Sequence, residues 1–474
     1  MRKLAVVALV PLLSLTGCNL GPKYKHPTFQ PPPTFYTEDQ ARQISIADVA
    51  WWQLFKDPVL QGLVREALEK NYDLQLAMAR VEEERALLGV SRSQYFPQVG
   101  YDANISGQRS PTIPNHTYYS YSFTTFWEID LFGRIRKLNE AQRALYFSSE
   151  EARRDVRLLV MSEVAQGYFQ LRALDTQLEI SHRTVKSFQG SLEIFQHRME
   201  GGYASGLETS RAQAALSNVA ATIPDLERQI VAQENALDLL LGRNPGPIPR
   251  GVALDAQYDP PEVPAGLPAS LLERRPDLRE AEQNLIAANA NVGVAKANFF
   301  PTISLSGLFG GISPQLSELT GAGKAWTLAG DLTGPIFTGG RLKNQYNASL
   351  AQRNQAKISF EKAVTRAFGE VSTSLSAHQL LAKAYSEQIT SVEAYRESVR
   401  LSTIRYDSGF SSYLDIIDAQ IQMYPAEIAT VTYDLGRKLA LVDVYRALGG
   451  GWNLSDSQWT STNPSPSATQ NPTP

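Results

Sequence analysis

The stretch YSYSFTTFWEI, residues 119–129, alternates between apolar and polar side chains over its whole length. Large apolar residues take the odd positions: Tyr119, Tyr121, Phe123, Trp127 and Ile129. Successive side chains of a strand point to opposite faces of a sheet. Alternation of this length therefore predicts a strand with one apolar and one polar face. The preceding residues 99–108 alternate in the same way, so a β-hairpin is expected over about 98–130.

The same features return later in the chain. Phe96-Pro97 recurs as Phe300-Pro301 at an offset of 204 (300 − 96), and alternation over 302–309 and 326–333 predicts a second hairpin at about 301–337. Leu241-Gly242 recurs as Leu448-Gly449 at an offset of 207 (448 − 241). A repeat of this length indicates a duplicated, domain-sized unit.

Four strands of ~11 residues with one apolar and one polar face are typical of outer-membrane barrels. A soluble β-sandwich with polar outer faces is the alternative for the strands alone. Four strands cannot close a membrane barrel, which needs about eight. Unpaired strand edges in lipid leave backbone groups unsatisfied. If these strands span a membrane, neighbouring chains must complete the barrel, and the functional unit is an oligomer with one shared pore.

Each predicted hairpin is flanked by helical sequence. A helix is expected over about 59–92, and residues 133–200 contain no proline. Apolar side chains in that second stretch recur at steps of three and four, which is typical of a coiled-coil seam: Val185, Phe188, Leu192, Phe195 and Met199. The second copy predicts helices over about 342–405 and 413–448. Pro224 and Pro425 lie inside the predicted return helices, where we expect kinks.

The N-terminus has the pattern of a bacterial lipoprotein signal. Two basic residues precede an apolar run, residues 4–15, that is too short to span a membrane. The run ends in Leu15-Thr16-Gly17-Cys18, which resembles a lipobox and predicts lipidation of Cys18. An ordinary signal peptide is the alternative. Asn19 after the cysteine favours the outer membrane, and acyl chains would anchor the protein in outer-membrane lipid.

These patterns divide the chain into six parts. They are a signal peptide (1–17), a lipidated extended arm (18–57), the first repeat (58–250), a linker (251–268), the second repeat (269–452) and a disordered tail rich in Ser, Thr, Pro and Asn (453–474). Each repeat is expected to contain a helix, a β-hairpin and a long helical hairpin. The fold class is therefore mainly α with membrane β and an internal duplication.

Composition and motifs indicate a binding or transport protein rather than an enzyme. The 45 basic and 48 acidic residues nearly balance, and no basic stripe suggests nucleic acid. The five histidines show no metal-ligand spacing, and Cys18 is the single cysteine. We find no nucleophile elbow and no phosphate-binding loop. We expect no catalytic residue, no metal site and no cofactor.

One polar group stands out near Gly409. Asp415 and Asp418 are three residues apart and so share a helix face. An acidic first turn that the helix dipole favours is the plain alternative. In a symmetric assembly the two carboxylates would form rings around the axis, which attract cations.

Four motifs resemble the TolC-like outer-membrane efflux ducts, in particular the lipoprotein branch that includes OprM and CusC. They lie at 127–134 (WEIDLFGR), 267–277, 299–305 (FFPTISL) and 447–452 (ALGGGW). The resemblance covers nearly all of residues 18–453. It implies a homotrimer whose twelve-stranded outer-membrane β-barrel is continuous with a long periplasmic α-helical barrel.

The resemblance also implies function and partners. Such a duct would be the exit channel of a tripartite efflux system that exports drugs or other small toxic compounds. It would dock on a periplasmic adaptor (membrane fusion) protein and an inner-membrane RND pump, while anchored in the outer membrane and extending into the periplasm. It binds no nucleic acid and uses no cofactor.

The resemblance assigns roles at the periplasmic end. Leu414, Asp415 and Asp418 would form the closed gate, and Tyr406 and Glu208 match a gate-locking hydrogen bond between neighbouring hairpins. An adaptor-docking tip is implied at Gly202, Ala204, Ser205, Gly409, Phe410 and Ser411. The chain departs from the family at two latch arginines, which are Ser411 and Ile421 here. A salt-bridge latch at these positions is therefore in doubt.

Two other functions fit part of the sequence. A passive diffusion porin would share the strands but not the long helices, so circular dichroism with a high helix content would exclude it. A lipid-anchored structural coiled coil would share the helices but form no pore. A planar-bilayer recording without channel openings would favour that second alternative.

Overall fold

The computed structural model describes residues 20–30, 45–108, 116–203, 205–260, 263–266, 268–321 and 323–460. Within these ranges the chain is mainly helical and forms one four-stranded sheet. Two residues with predicted roles, Cys18 and Ala204, lie outside the described residues.

The strands pair in sequence order. β1 (Gln98–Gln108), β2 (His116–Ile129), β3 (Thr302–Ser313) and β4 (Lys324–Thr333) form an antiparallel sheet of order β1-β2-β3-β4. The register places four aromatic residues in one row across the sheet, and all four are exposed in the single chain: Tyr101, Phe123, Phe309 and Trp326. The opposite face is polar, with Ser306 donating to Asp331 at 2.8 Å. The two predicted hairpins pair side by side through β2 and β3, which leaves β1 and β4 as the edges of this sheet.

The first copy contains five of the helices longer than four residues. They are α2 (Pro58–Lys70), α3 (Tyr72–Ser93), α4 (Arg134–Glu200), α5 (Gly206–Ala220) and α6 (Thr222–Leu240), after a short α1 (Trp51–Leu54). The second copy contains α7 (Leu271–Arg274), α8 (Pro276–Ala297), α9 (Arg341–Asp407) and α10 (Leu414–Ala447). Both α4 and α9 have 67 residues, so the two predicted long helices are confirmed.

The predicted helix over 59–92 is wrong in one respect, because it is broken at Asn71. This residue has extended backbone geometry between α2 and α3. Its side chain accepts a hydrogen bond from the Leu74 amide at 3.0 Å and donates to the Leu240 carbonyl at 2.9 Å. Asparagine at a helix start competes for backbone groups in this way.

The arm and the tail also differ from the prediction. Residues 20–30 form neither helix nor strand, but 45–57 contain a 3-10 turn (Ile46–Asp48) and α1, with Trp51 fully buried. The predicted disordered tail is ordered at its start, because α11 (Asp456–Thr460) buries Trp459 in the main core. In both segments a buried tryptophan supplies the apolar area that compensates for ordering the backbone.

The two prolines act differently. Ala221 separates α5 from α6, and Pro224 is the third residue of α6, where its missing amide costs no helix hydrogen bond. Pro425 lies inside α10, which continues through it. The first return helix is thus interrupted three residues before Pro224, and the predicted kink at Pro425 stays a prediction.

The chain divides into two compact units. We call one the strand unit (1–29, 78–152 and 277–363) and the other the hairpin unit (30–77, 153–276 and 364–474). In the strand unit the arm runs along α8, with Asn289 donating to the Pro22 carbonyl at 3.0 Å. The hairpin unit holds the main apolar core, around Trp51, Tyr168 and Tyr445. Among the described helices, none is long and apolar enough to cross a membrane.

Candidate functional site: the tips of the helical hairpins

Both helical hairpins turn through the same backbone motif. Gly202 follows α4 with φ +79° and Gly409 follows α9 with φ +76°. The next amide donates back to the fifth preceding carbonyl in each case, from Tyr203 to Arg198 at 2.7 Å and from Phe410 to Arg405 at 2.8 Å. This is the Schellman helix ending, which favours glycine at the left-handed position. The two tips are therefore equivalent in backbone and 207 residues apart.

A small apolar cluster packs directly behind the tips. It joins three helices, since Leu192 and Phe195 come from α4, Ala212 from α5 and Ile417 from α10. Leu414 packs partly buried against this cluster within the single chain. The cluster holds the start of α10 against the first hairpin.

Asp415 and Asp418 are both exposed on the first turns of α10. The two residues between them, Ile416 and Ile417, are 3 % and 1 % exposed. Within the part of the chain that the structure describes, neither carboxylate has a hydrogen bond or ion pair. The start of α10 thus presents two carboxylates on one side while its other side is buried in the hairpin.

Tyr406 and Glu208 do not bond to each other within the chain. The Tyr406 hydroxyl accepts from Arg198 Nη1 at 2.9 Å, and its ring packs edge-on against Tyr413 at 4.9 Å. Glu208 instead accepts from the Ser205 amide at 2.8 Å in a capping box that begins α5. The family resemblance implied a hydrogen bond between Tyr406 and Glu208 of neighbouring hairpins, and that bond stays a prediction.

A carboxylate that the sequence analysis missed lies further along α10. Glu427 is 5 % exposed and accepts from Arg183 on α4 at 2.8 Å and from Arg396 on α9 at 3.1 Å. We call these three residues the Glu427 clasp. It joins three helices close to Pro425. The signal in the sequence was a lone carboxylate among apolar residues, Ala426-Glu427-Ile428.

The other end of α10 carries a second buried charge group. Burial raises the pKa of Asp434 and lowers the pKa of Lys438, although Asp434 accepts from Arg437 at 2.6 Å. Lys438 Nζ donates to the Gln257 carbonyl at 3.0 Å, and Arg437 pairs with Asp259. These contacts tie the linker segment to α10. Across the described ranges there is no cluster of His, Cys, Asp and Glu suited to a metal ion.

The repeated architecture has a counterpart among known protein families. The family model described as Outer membrane efflux protein matches residues 63–243 and 267–450. The two matched segments start 204 residues apart (267 − 63) and end 207 apart (450 − 243), which are the offsets of the internal repeat.

The chain belongs to the outer membrane efflux protein family.

Individual relatives agree with this assignment. The probable efflux pump outer membrane protein TtgC of Pseudomonas putida is 35% identical over 464 residues, 95% of each chain. The probable outer membrane lipoprotein SilC of Salmonella typhimurium is 31% identical over 95% of this chain and 100% of that protein. The open-state structure of the Neisseria gonorrhoeae MtrE outer membrane channel matches with a TM-score of 0.85 and 32% identity, covering 92% of this chain and 99% of that one.

The family membership fixes the class of function. This efflux protein is an outer-membrane channel, the exit duct of a tripartite efflux system. Its fold is the duplicated efflux-channel fold, in which four membrane strands per chain accompany long helices. The fold class and function predicted from the sequence are confirmed. The roles of the individual tip residues stay predictions.

Proposed function

We propose that this efflux channel is a homotrimer whose periplasmic end is gated by Asp415 and Asp418. The observation that carries the proposal is the one-sided exposure of the start of α10, where both carboxylates face solvent and Ile416 and Ile417 are buried. Three chains around one axis turn two exposed carboxylates into two acidic rings. Such rings concentrate cations at a constriction.

The open sheet supports the trimer. β1 and β4 are edges of a four-stranded sheet whose outer face carries the aromatic row. Edges of this kind need partner strands within a membrane. Three chains supply twelve strands, which exceeds the minimum of about eight for a closed barrel. Leu414 would form an apolar constriction beside the acidic rings.

The experiment for the gate is a planar-bilayer recording of the Asp415→Ala/Asp418→Ala double variant. We expect a trivalent cation added from the periplasmic side to block the wild type and to block the variant much less. Glu193→Ala/Glu227→Ala is the matched control, because both residues are exposed carboxylates of the first hairpin without a partner among the described residues. Equal block in all three proteins would refute the acidic rings.

We further propose that the two tips dock a periplasmic adaptor protein, which couples the duct to an inner-membrane RND pump. Tyr203 and Phe410 are 81% and 78% exposed on the two equivalent turns. Exposed aromatic residues on rigid turns are favourable anchors for a protein partner. Docking would involve Gly202, Ala204, Ser205, Gly409, Phe410 and Ser411. Ser205→Cys and Ser411→Cys should cross-link to a co-expressed adaptor, and Ser455→Cys, in the segment after α10, should not.

The anchor and the cargo complete the proposal. Acylation of Cys18 would fix the N-terminal arm in outer-membrane lipid, and mass spectrometry of the mature protein tests it. The relatives' names mention efflux of toluene, solvents, antibiotics and cations. For this channel we propose drugs or other small toxic compounds, since the pump selects the cargo and the duct only conducts it.

A further inference from the structure

A group of aromatic residues in the strand unit indicates where the membrane ends. Aromatic side chains collect at one end of the sheet, where β1 and β3 begin and β2 and β4 end: Tyr95, Phe96, Trp127, Phe299, Phe300 and Phe337. Aromatic belts of this kind lie at the interface between hydrocarbon and head groups. The helix ends next to this belt therefore lie at the level of the lipid phosphates.

A cavity of about 380 Å³ lies at this level in the strand unit. We call it the arginine cavity. It is formed by the end of α3 and the start of α4, and its lining includes Leu88, Arg92, Tyr95, Arg136, Asn139 and Arg143. The Tyr95 carbonyl accepts from the indole of Trp127 at 2.9 Å, and Trp127 lies on the apolar face of the sheet. The cavity is therefore on the lipid-facing side.

The charges around the arginine cavity do not balance. Asp130 pairs with Arg136 at 3.2 Å, and Glu140, which also lines the cavity, pairs with Lys137 at 2.6 Å. Among the residues that the structure describes, no carboxylate pairs with Arg92 or Arg143. The lining of the cavity thus holds three arginines and one carboxylate, Glu140, and the exposed guanidiniums of Arg92 and Arg143 account for the excess positive charge. The dipole of α3 explains Arg92 in its last turn, but not the convergence of three arginines on one cavity.

The wall of the cavity is polar as well as basic. Asn139 is 8 % exposed and its amide donates to the Ser91 and Ile135 carbonyls, both at 3.0 Å. Its Oδ1 is buried with no hydrogen-bond partner in the described structure. Buried polar atoms nearly always have a partner. Because Asn139 lines the cavity, a hydroxyl group bound there would lie next to this side chain.

We propose that the arginine cavity binds the phosphate of an anionic glycerophospholipid of the periplasmic leaflet. Arg92 and Arg143 contact the phosphate oxygens, because the planar guanidinium matches phosphate with two hydrogen bonds. Arg136, held by Asp130, adds its positive charge. Head-group hydroxyls lie towards Asn139, and Tyr95 packs beside the upper acyl chains. A basic cavity next to a membrane boundary is the usual form of such a head-group site.

Native mass spectrometry of the full-length, detergent-purified oligomer tests the proposal, with phosphatidylglycerol as the probe. We expect Arg92→Gln/Arg143→Gln to weaken binding roughly 30-fold, because each basic residue near a lipid surface contributes about 1 kcal/mol. Arg92→Lys/Arg143→Lys should retain most of the binding. Arg80→Gln/Lys362→Gln is the matched control, since it removes two exposed cations of the same unit that have no partner in the described ranges.

Several outcomes would overturn the proposal. Equal affinity of wild type and Arg92→Gln/Arg143→Gln is one, and binding of phosphatidylethanolamine as tight as that of phosphatidylglycerol is another. Displacement of the lipid by millimolar inorganic phosphate would assign the site to free phosphate. Loss of the oligomer without a change in lipid affinity would assign the two arginines to a contact between chains. Unchanged circular dichroism establishes that each variant is folded.

Discussion

In both copies of the repeat the last carbonyl of the return helix accepts a hydrogen bond from a distant side chain, but the two helical hairpins differ. At the C-terminal ends of the return helices α6 and α10, which we call the closed end, Asn71 donates to the Leu240 carbonyl at 2.9 Å and Arg275 donates to the Ala447 carbonyl at 3.0 Å. The donors are 204 residues apart (275 − 71) and the acceptors 207 (447 − 240). Duplication has therefore kept a tertiary contact while its donor changed from an amide to a guanidinium.

The hairpins differ in charge and continuity. The positions 207 residues before Asp415, Asp418 and Glu427 are occupied by Glu208, Arg211 and Ala220. Glu208 is used in a helix cap, and the first return helix breaks at Ala221. The second return helix is continuous and carries both the exposed carboxylates and Glu427, whose partner Arg183 lies on α4 of the first copy. The exposed acidic pair and the buried Glu427 therefore belong to the second copy alone.

The largest expected effect tests the shared closed end. Gly242 and Gly449 both have positive φ, but a Cβ on Gly242 would lie 2.3 Å from the Lys70 carbonyl oxygen, against 3.1 Å from the Arg274 oxygen for Gly449. We expect Gly242→Ala to cost roughly 3–4 kcal/mol and Gly449→Ala about 1–2. Thermal unfolding monitored by circular dichroism gives the comparison. Equal losses of stability in the two variants would contradict the prediction that the backbone is packed more closely around Gly242 than around Gly449.

The next prediction compares the two hydrogen-bond donors of the closed end, Arg275 and Asn71. Arg275 is buried, donates to Ala447 and pairs with Glu370 at 2.7 Å. Arg275→Ala should cost about 3 kcal/mol, because it leaves the buried Ala447 carbonyl without its hydrogen bond and takes one of two arginine partners from Glu370, which keeps Arg366. Asn71→Ala should cost about 1–2 kcal/mol, the value of a helix cap and one hydrogen bond. A larger loss for Asn71→Ala in chemical denaturation would contradict this order.

The third prediction tests whether the Glu427 clasp, which the second return helix has and the first lacks, affects channel opening. Glu427→Gln keeps the shape but removes the charge that Arg183 and Arg396 share, and hydrogen bonds to charged groups contribute about 1.5 kcal/mol or more. We expect up to a roughly tenfold rise in open probability in planar-bilayer recordings. Glu393→Gln is the matched control, because Glu393 is an exposed carboxylate of α9. Unchanged gating in Glu427→Gln would limit the clasp to a structural role.

The smallest expected effect is the response to acid. Burial alone would raise the pKa of Asp57, but hydrogen bonds from Gln257, Tyr168 and the Val59 and Val252 amides lower it below the usual value. The stability that ionised Asp57 contributes is therefore present above about pH 4 and lost as pH falls further. Asp57→Asn should lower the melting temperature at pH 7 and flatten its decline in acid.

Asp434 in the second copy provides the opposite case. Burial raises the pKa of Asp434, so its contribution to stability is greatest in acid and is lost as pH rises through that pKa. The wild-type protein should lose stability as pH rises through the pKa of Asp434, and Asp434→Asn should abolish that loss. The wild-type protein should also lose stability as pH falls through the pKa of Asp57, and Asp57→Asn should abolish that second loss. Melting curves that shift in the same direction with pH in both variants would contradict this assignment.

Much of the fold could be predicted because its signals are local. The alternation over 119–129 predicted β2, and the proline-free stretch predicted α4 at its full length. Three local predictions failed for a physical reason. Asn71 takes its bonds from Leu74 and Leu240 and so ends a helix, and the tryptophans at 51 and 459 order segments that their polar or proline-rich neighbours made appear unstructured.

The same distinction between local and long-range features applies to the candidate site. The sequence placed Asp415 and Asp418 on one exposed helix face, since residues three apart share a face whatever packs behind them. It could not assign Arg198 to Tyr406, find the Glu427 clasp or bring three arginines to one cavity. The hydrogen bonds of Tyr406 and Glu427 join residues separated by 31 to 244 positions. They depend on how whole helices pack, which neither periodicity nor propensity encodes.

The sequence by itself determined the duplication, the strand faces, the lengths of α4 and α9 and the acidic tip, because each depends on the spacing of nearby side chains. Only the tertiary structure decided which arginines bind Glu427, where the arm lies along α8 and which arginines of the proposed membrane boundary have no carboxylate partner among the described residues. A charge gains or lacks a partner through packing in three dimensions, so the same arginine reads identically in the sequence whether it is paired or not.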